Sequence, residues 1–324
     1  MKKSKMIRAY KIHITVLTSA HIGSGETIPK YAYIYDKESG YFKIINQKKL
    51  TELLVERNVF DEYLGLISKL PEYCDNEKSS LNDFLDKWEL AQDDIIQSFT
   101  QYTVKNENPQ DFKFYNIKLF IKDSDNRPYI PGSSIKGMLI GAISSDSADN
   151  IKAISRAISI ADSAPISLDN LMINKVYRFN YKEDKDLSLN EYVEFLRPNT
   201  QICAIMKLDE SVISIKELKA HLERVYNDYF QLYLSKFADL DNIYIPTITP
   251  KAYLGAFTGY PIKTIVYPKH KENAPKKAPD YLARILNKKP LKCTKLNNRL
   301  QENGAIQIQF EEIPMEKTKN EIRT

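Results

Sequence analysis

The sequence predicts an α+β fold, because strand-like and helical segments alternate without the regular rhythm of a parallel βαβ protein. Residues 8–17 alternate apolar and polar side chains, as a half-buried strand does, and GAIQIQFEEI near the C-terminus repeats this pattern. Between them, residues 214–238 carry apolar side chains at helical spacing. With 324 residues the chain is long enough for two domains, each with its own core.

The first hundred residues predict a strand, a hairpin and a group of helices. Residues 31–36 and 41–45, joined by KESG, indicate the hairpin. Asn46 is suited to cap the first helix, and helical spacing continues through FDEYLGLISKL and LNDFLDKWELAQDDIIQSF. This acidic helical block, about residues 46–100, interrupts a strand-rich pattern that resumes with FKFYNIKLFIKD. We therefore interpret it as an insertion.

The later elements repeat the outline strand, helix, strand. IPGSSIKGMLIGAI predicts a helix and DNLMINKVYRF a strand, and after the polar loop YKEDKDLSLN two more strands are indicated by YVEFLRP and QICAIMKLD. Ser214 and Glu217 form a capping box at the start of the long helix. The repetition suggests duplicated small α/β sandwiches. We predict an N-terminal domain of residues 1–185, which contains the insertion, and a C-terminal domain of residues 186–324.

Charge is segregated along the chain, although the net charge is only +5. Residues 51–112 contain 14 acidic and 5 basic side chains, a net of −9, whereas residues 263–299 contain 11 basic and 2 acidic ones, a net of +9. A uniformly basic surface is therefore excluded. The segregation suits a polyanion on one face and a protein partner on the other, and a solvated lysine-rich loop is the alternative for the basic stretch.

Several functional classes are excluded. The three cysteines, Cys74, Cys203 and Cys293, are far apart and outside any CxxC spacing, which predicts a reduced, cytoplasmic protein with no metal site. The chain lacks the roughly 18 uninterrupted apolar residues of a membrane span. The GxxxxGK[ST] motif is absent and the early GxG lacks its third glycine, so ATP and NAD are not expected, and no cofactor is predicted.

Seven of the ten glycines lie in three clusters, which we name the first, second and third glycine segments (residues 17–26, 129–143 and 253–264). Such clustering indicates backbone with unusual dihedral angles or backbone that another group approaches closely. Each segment also carries hydroxyls, amides or lysines that suit phosphate oxygens. The candidate binding residues are His21, Gly23, Ser24, Gly25, Gly132, Ser133, Ser134, Lys136, Gly137, Thr258, Gly259, Lys263 and Thr264. Three ordinary tight loops are the alternative.

Lys136 is expected in the first turn of the helix that begins the second glycine segment. A cation there costs a few tenths of a kcal/mol, since the helix dipole is positive at this end. An anion at the same position would contact free amides, the Ser133 and Ser134 hydroxyls and Lys136 together. We therefore predict a phosphate site at this helix start.

Several motifs, taken in order, resemble a known family. IPGSSIKG resembles the signature of the repeat-associated mysterious proteins (RAMPs), an RNA-binding superfamily of CRISPR effector complexes. The series SAHIGSGE, YIYD, IPGSSIKG, ADSAPISLDNLMI, YVEFLRPNT and LGAFTGYPIKT is similar to the Csm-type subunits that cap type III-A complexes at the 3′ side of the guide RNA. The similarity spans about residues 10–267.

The resemblance implies two ferredoxin-like, or RNA-recognition-motif-like, domains. It implies binding of the 3′ part of the CRISPR RNA (crRNA), contact with the adjacent backbone subunit and other Csm subunits, a role in guide maturation, and no active site of its own. It leaves open whether host nucleases are recruited. Departures from the family pattern are Ile140, where an Arg is common, Asn199, where Gly commonly follows Pro, and Ala256 and Phe257 in the late glycine loop.

Two residues leave alternatives open. His21 is the one candidate for a general acid or base, because it lies in a glycine loop, and it defines the rival hypothesis of a metal-independent endoribonuclease. A residue that orders the loop or contacts RNA is the other interpretation. Arg197 either contacts a phosphate or pairs with an acid. A scaffold that contacts only protein is the third functional class.

Overall fold

The computed structural model describes residues 5–69, 81–144, 151–181, 185–246, 248, 251–259, 262 and 289–314. These residues form fifteen strands and seven α-helices, which confirms the predicted α+β class. The helices are α1 (Gln47–Glu56), α2 (Phe60–Lys69), α3 (Leu81–Lys87), α4 (Asp93–Phe99), α5 (Gly132–Ser144), α6 (Ile151–Ala157) and α7 (Ile215–Leu232). The first eight strands are β1 (Ile7–Val16), β2 (Gly23–Ile28), β3 (Tyr33–Asp36), β4 (Tyr41–Ile45), β5 (Thr100–Asn106), β6 (Ile117–Phe120), β7 (Ile158–Ile160) and β8 (Leu171–Asn180). The remaining strands are β9 (Lys185–Leu196), β10 (Gln201–Asp209), β11 (Ile243–Tyr244), β12 (Lys251–Tyr253), β13 (Leu291–Leu296), β14 (Arg299–Glu302) and β15 (Ala305–Ile313).

A five-stranded antiparallel sheet is built around the first strand. Its order is β12-β15-β1-β10-β7, so β1 lies between two strands from the second half of the chain. Ile12, Ile14 and Val16 are buried on one face of β1, whereas Lys11 on the opposite face is exposed. Because side chains alternate across a strand, the predicted two-residue period is the physical origin of this arrangement. Helices α5 and α7 pack against each other, and α5 also contacts β7.

The second sheet contains the other ten strands and branches at β8. One path runs β11-β14-β13-β8-β5-β4-β3, and a second leaves β8 through β9 and β6 to β2. Strand β2 pairs only with β6 among the described strands, and its residues Gly23–Ile28 are almost all exposed. The largest hydrophobic core contains residues of both sheets and of α5 and α7. The two sheets are therefore packed into one body.

The acidic helical block forms a separate small core. Helices α1–α4 bury Leu50, Leu54 and Phe99 among other apolar side chains, together with Ile34 and Ile45 of the hairpin. The chain leaves the second sheet at Ile45 and returns at Thr100, and these two residues are cross-strand partners. The division at residue 185 stays a prediction, and strand pairing crosses this position in both sheets.

Most predicted elements are present, and several differ from the prediction in extent or position. The hairpin of β3 and β4, the Asn46 cap and the Ser214–Glu217 capping box are confirmed. Helix α7 ends at Leu232, earlier than predicted, and only Ile117–Phe120 of FKFYNIKLFIKD is a strand. Strand β9 already begins at Lys185, inside the predicted polar loop. Lys136 lies in the second turn of α5, because this helix begins at Gly132.

Candidate nucleic-acid interface

The third glycine segment lies between the other two. On one side, the Ala256 amide donates a hydrogen bond of 2.8 Å to the His21 carbonyl oxygen of the first segment. On the other side, Gly255 and Thr258 share a cavity of about 270 Å³ with Ser134 and Gly137 of the second segment. Leu222 and Val225 of α7 complete the apolar wall of this cavity. The structure thus brings the three glycine segments together.

Gly255 is required by the contact between the first and third segments. Its φ angle of +90° lies in the left-handed region that favours glycine. A Cβ atom at this position would lie 2.2 Å from the His21 carbonyl oxygen, which is well inside van der Waals contact. Only glycine satisfies both constraints here.

His21 is a buried residue of the loop. Only 3% of its surface is exposed, and its Nδ1 atom donates a hydrogen bond of 2.7 Å to the Glu194 carbonyl oxygen. Its ring meets the rings of Phe120, Phe195 and Phe257 at centroid distances of 5.5–6.1 Å. Burial lowers the pKa of His21 to about 4, although the hydrogen bond to the Glu194 backbone opposes this change. This geometry supports a role in ordering the loop.

A buried ionic network holds β6 beside β9. The sequence did not predict this network. The Glu194 carboxylate is fully buried and accepts hydrogen bonds from the Tyr102 hydroxyl at 2.9 Å and the Phe120 amide at 2.8 Å. Lys122 pairs with the same carboxylate at 2.5 Å. Burial and the negative charge of Glu194 raise the pKa of Tyr102. No local sequence signal links residues so far apart along the chain.

The first glycine segment ends on an exposed sheet edge. Gly23, Ser24 and Gly25 lie within β2 and are exposed. The Ser24 hydroxyl accepts a hydrogen bond of 3.1 Å from the Glu26 amide. Gly25 has a φ angle of +91°, and no described atom would lie within 4 Å of a Cβ atom there. Backbone and hydroxyl groups at this edge are accessible to a ligand.

The start of α5 differs from the predicted phosphate site. The Gly132 amide donates a hydrogen bond of 2.7 Å to the Asp162 carboxylate, and the Ser134 amide donates to the Pro131 carbonyl oxygen at 2.9 Å. The amides expected to be free are thus largely used within the chain, and Asp162 supplies the anion at this helix end. Gly132 itself is required because a Cβ atom would lie 2.2 Å from the Ile160 carbonyl oxygen.

The side chains that follow on α5 remain accessible. Ser133 and Gly137 are exposed, and Lys136 is half-buried with no ion-pair partner among the described residues. Ser133 and Lys136 are three residues apart and therefore lie on the same side of the helix. This part of the second segment offers a hydroxyl and an ammonium group next to the shared cavity.

The five remaining predicted binding residues are Arg197, Thr258, Gly259, Lys263 and Thr264. Arg197 forms an ion pair with Glu107 and donates a hydrogen bond of 3.1 Å to the Leu171 carbonyl oxygen, so of its two predicted roles the structure shows the acid pair. Thr258 is largely buried beside Gly304 and lines the cavity. Gly259 has a φ angle of +90°. Lys263 and Thr264 lie outside the described residues.

In the described part of the chain, no group of three His, Cys, Asp or Glu side chains is placed to hold a metal ion. No described α-helix is both long and apolar enough to span a membrane.

Comparisons with known proteins agree on one family. The model of the RAMP superfamily matches residues 13–288. A protein of Enterococcus italicus named "CRISPR system Cms protein Csm5" is 28% identical over 305 residues, which cover 83% of each chain. A protein of Streptococcus thermophilus with the same name is 26% identical over 296 residues, which cover 80% of each chain.

Two solved structures share the fold. A chain from the cryo-EM structure of a Csm-crRNA-target RNA ternary complex superposes with a TM-score of 0.63 at 14% identity, and the match covers 94% of this chain and 100% of that one. The crystal structure of T. onnurineus Csm5 gives a TM-score of 0.60 at 15% identity, with 91% and 99% covered. The family model spans most of the sequence, and the chain therefore belongs to the RAMP superfamily.

Proposed function

We propose that this chain is an RNA-binding subunit of a type III-A Csm effector complex, where it binds and caps the 3′ part of the crRNA. The names of the two relatives and the complex that contains the similar solved structure support this role. The observation that carries the proposal is the convergence of three glycine segments around the loop at Gly255. We further propose that β1, α5, β7, β10, α7 and β15 form one ferredoxin-like unit, since they follow its β-α-β-β-α-β connectivity.

Gly137 is the residue that most directly suggests an external ligand. It lies inside α5, where glycine is less favourable than alanine by about 0.5–1 kcal/mol. A Cβ atom at this position would have no neighbour within 4 Å among the described residues, so the described part of the fold does not require glycine. A ribose or phosphate that approaches the helix beside Lys136 provides a reason for the missing side chain.

The test is Gly137→Ala, with Gly65→Ala as the matched control. Gly65 also lies within a helix, α2 of the acidic block, and a Cβ atom there has no neighbour within 4 Å in the described part of the chain either. Both substitutions should raise the free energy of unfolding by about 0.5–1 kcal/mol, measured by urea denaturation. Gly137→Ala alone should weaken crRNA binding roughly tenfold, because an overpacked methyl group typically costs about 1–3 kcal/mol. Equal crRNA affinities of the two variants would contradict the proposal.

The endoribonuclease alternative depends on His21. Its burial under three aromatic rings and its lowered pKa do not suit a group that must reach an RNA hydroxyl and exchange protons near neutral pH. Incubation of the pure protein with labelled repeat RNA, with and without EDTA, distinguishes the two functions. EDTA-resistant cleavage that is lost in His21→Ala would favour the enzyme.

The protein partners belong to the same proposal. The acidic helices α1–α4 suit a protein neighbour better than RNA, because their exposed carboxylates repel phosphate. We propose that this block or the sheet edges contact the adjacent backbone subunit and other Csm subunits. A role in guide maturation and a cytoplasmic location stay predictions, and recruitment of host nucleases stays an open alternative.

A further inference from the structure

Phe257 occupies an unfavourable backbone conformation in the third glycine segment. Its φ angle is +64°, in the left-handed region that bulky side chains rarely adopt. Glycine or asparagine would fit this position with less strain, and the segment already contains Gly255 and Gly259 at positive φ. Strained residues of this kind cluster at functional sites such as ligand clamps.

Phe257 is a half-buried residue, and its ring contacts other rings and an apolar cluster. Its centroid lies 5.5 Å from that of His21 and 6.0 Å from that of Phe195, in tilted arrangements. It also packs against a small apolar cluster on this face of the ten-stranded sheet, which includes Val176 and Val193. These contacts hold the ring in place, and the residue as a whole is only partly buried.

Basic side chains surround the same ring. The Nζ atoms of Lys118 on β6 and Lys292 on β13 lie 5.5 Å and 5.8 Å from its centroid. Lys292 is the cross-strand partner of Arg178, which is exposed. Lys118 pairs with Glu191 at 2.7 Å, and its side chain is 42% exposed. Each lysine ends a flexible four-carbon chain, so its ammonium group can move to a phosphate beside the ring.

We propose that Phe257 stacks against one unpaired base of the bound RNA, while Lys118 and Lys292 contact the adjacent phosphates. An aromatic ring next to basic side chains is the usual arrangement for binding single strands, because every base offers a π-face. The contact is therefore tolerant of sequence and requires an unpaired nucleotide. This inference rests on the proposed function and adds a second kind of contact, to a base, on the side of the segment that faces His21.

The experiment measures the affinity of the full chain for a short single-stranded RNA and for a set of the same RNAs with one abasic nucleotide at each successive position. Phe257→Leu keeps the apolar packing and should weaken binding of intact RNA roughly tenfold, and Phe257→Trp should preserve it. For the wild-type protein, an abasic nucleotide at the stacking position should also lower the affinity roughly tenfold. For Phe257→Leu, the same abasic nucleotide should cause no additional loss of affinity. Thermal unfolding of each variant confirms folding, and Phe257→Gly, which relieves the strain at φ, replaces the leucine variant if that one does not fold.

The salt dependence separates stacking from charge. Lys118→Gln and Lys292→Gln should each reduce the slope of log affinity against log salt by about 0.7, the value for one phosphate on a single strand. Phe257→Leu should leave this slope unchanged. The tryptophan variant adds a direct signal, since RNA should quench its fluorescence and the natural chain contains one tryptophan, Trp88 of the acidic block.

The outcomes distinguish the two proposals. If wild-type protein binds RNA and no abasic position matters, base stacking is refuted and phosphate binding stands. If the protein does not bind RNA even at low salt, the proposed function fails and the stacking proposal fails with it. If Phe257→Leu binds RNA normally but no longer joins a neighbouring protein subunit, the ring is a protein contact and the proposal is wrong.

Discussion

Gly255 and Gly137 belong to the same candidate interface, but glycine occupies the two positions for different physical reasons. Gly255 has positive φ and meets the His21 carbonyl oxygen, so the fold requires it. Gly137 lies within a helix, and no described residue would contact a Cβ atom there, so the described part of the fold does not require it. The sequence predicts the glycine clusters but not this difference, because it depends on atoms that are distant along the chain.

The buried state of His21 predicts a pH dependence of stability. In the unfolded chain this histidine has an ordinary pKa near 6.5, whereas burial lowers the folded-state pKa to about 4. The unfolded state therefore binds a proton first as the pH falls. Above pH 6.5, neutral His21 makes its full contribution to the free energy of unfolding. Between pH 6.5 and pH 4 this contribution is lost, and the loss totals about 3 kcal/mol.

His21→Phe tests this dependence, because it keeps an aromatic ring and removes the titrating group. Urea denaturation at pH 7 and pH 4 should show that the wild-type free energy of unfolding falls by about 3 kcal/mol more than that of the variant. The other titrating groups are common to both proteins and cancel in this difference. Identical decreases in both proteins would show that His21 is not held neutral.

At the scale of elements, local sequence signals are sufficient to predict where helices begin and which segments alternate as strands. Asn46 accepts a hydrogen bond from the Lys49 amide at 3.1 Å, and the capping box of α7 is complete, as their spacing predicts. The boundaries of β9 were not predicted, since its polar first half resembles a loop. The ionic contact between Lys122 and Glu194 was not predictable either, because it joins the β6 and β9 regions across the sheet.

Lys122→Met tests how strongly this contact holds β6 and β9 together. Removal of the lysine leaves the fully buried Glu194 carboxylate without its cation, and the free energy of unfolding should fall by about 3–5 kcal/mol. Lys118→Met is the matched control on the same part of the chain. Its ion pair with Glu191 is partly exposed, so its loss should cost about 1 kcal/mol or less. Losses of equal size in urea denaturation would refute the structural role of the buried pair.

At the scale of the whole molecule, distant parts of the chain combine to form both the sheets and the interface. The central strand β1 lies between β10 and β15, and the loop at Gly255 connects the first and second glycine segments. Sequence periodicity predicts strands but not their partners, because pairing depends on which faces are buried together. The candidate residues were therefore recognisable as three separate clusters, whereas their convergence required the structure.

The most direct test of the RNA-binding role is photo-crosslinking of the full chain to crRNA that carries 4-thiouridine in its 3′ part, with the sites mapped by mass spectrometry. We expect crosslinks in the three glycine segments, residues 17–26, 129–143 and 253–264, and their loss as salt is raised. Lys136→Ala should reduce those in the second segment. Crosslinks confined to the acidic helices α1–α4, or an unchanged pattern in Lys136→Ala and at high salt, would contradict the account.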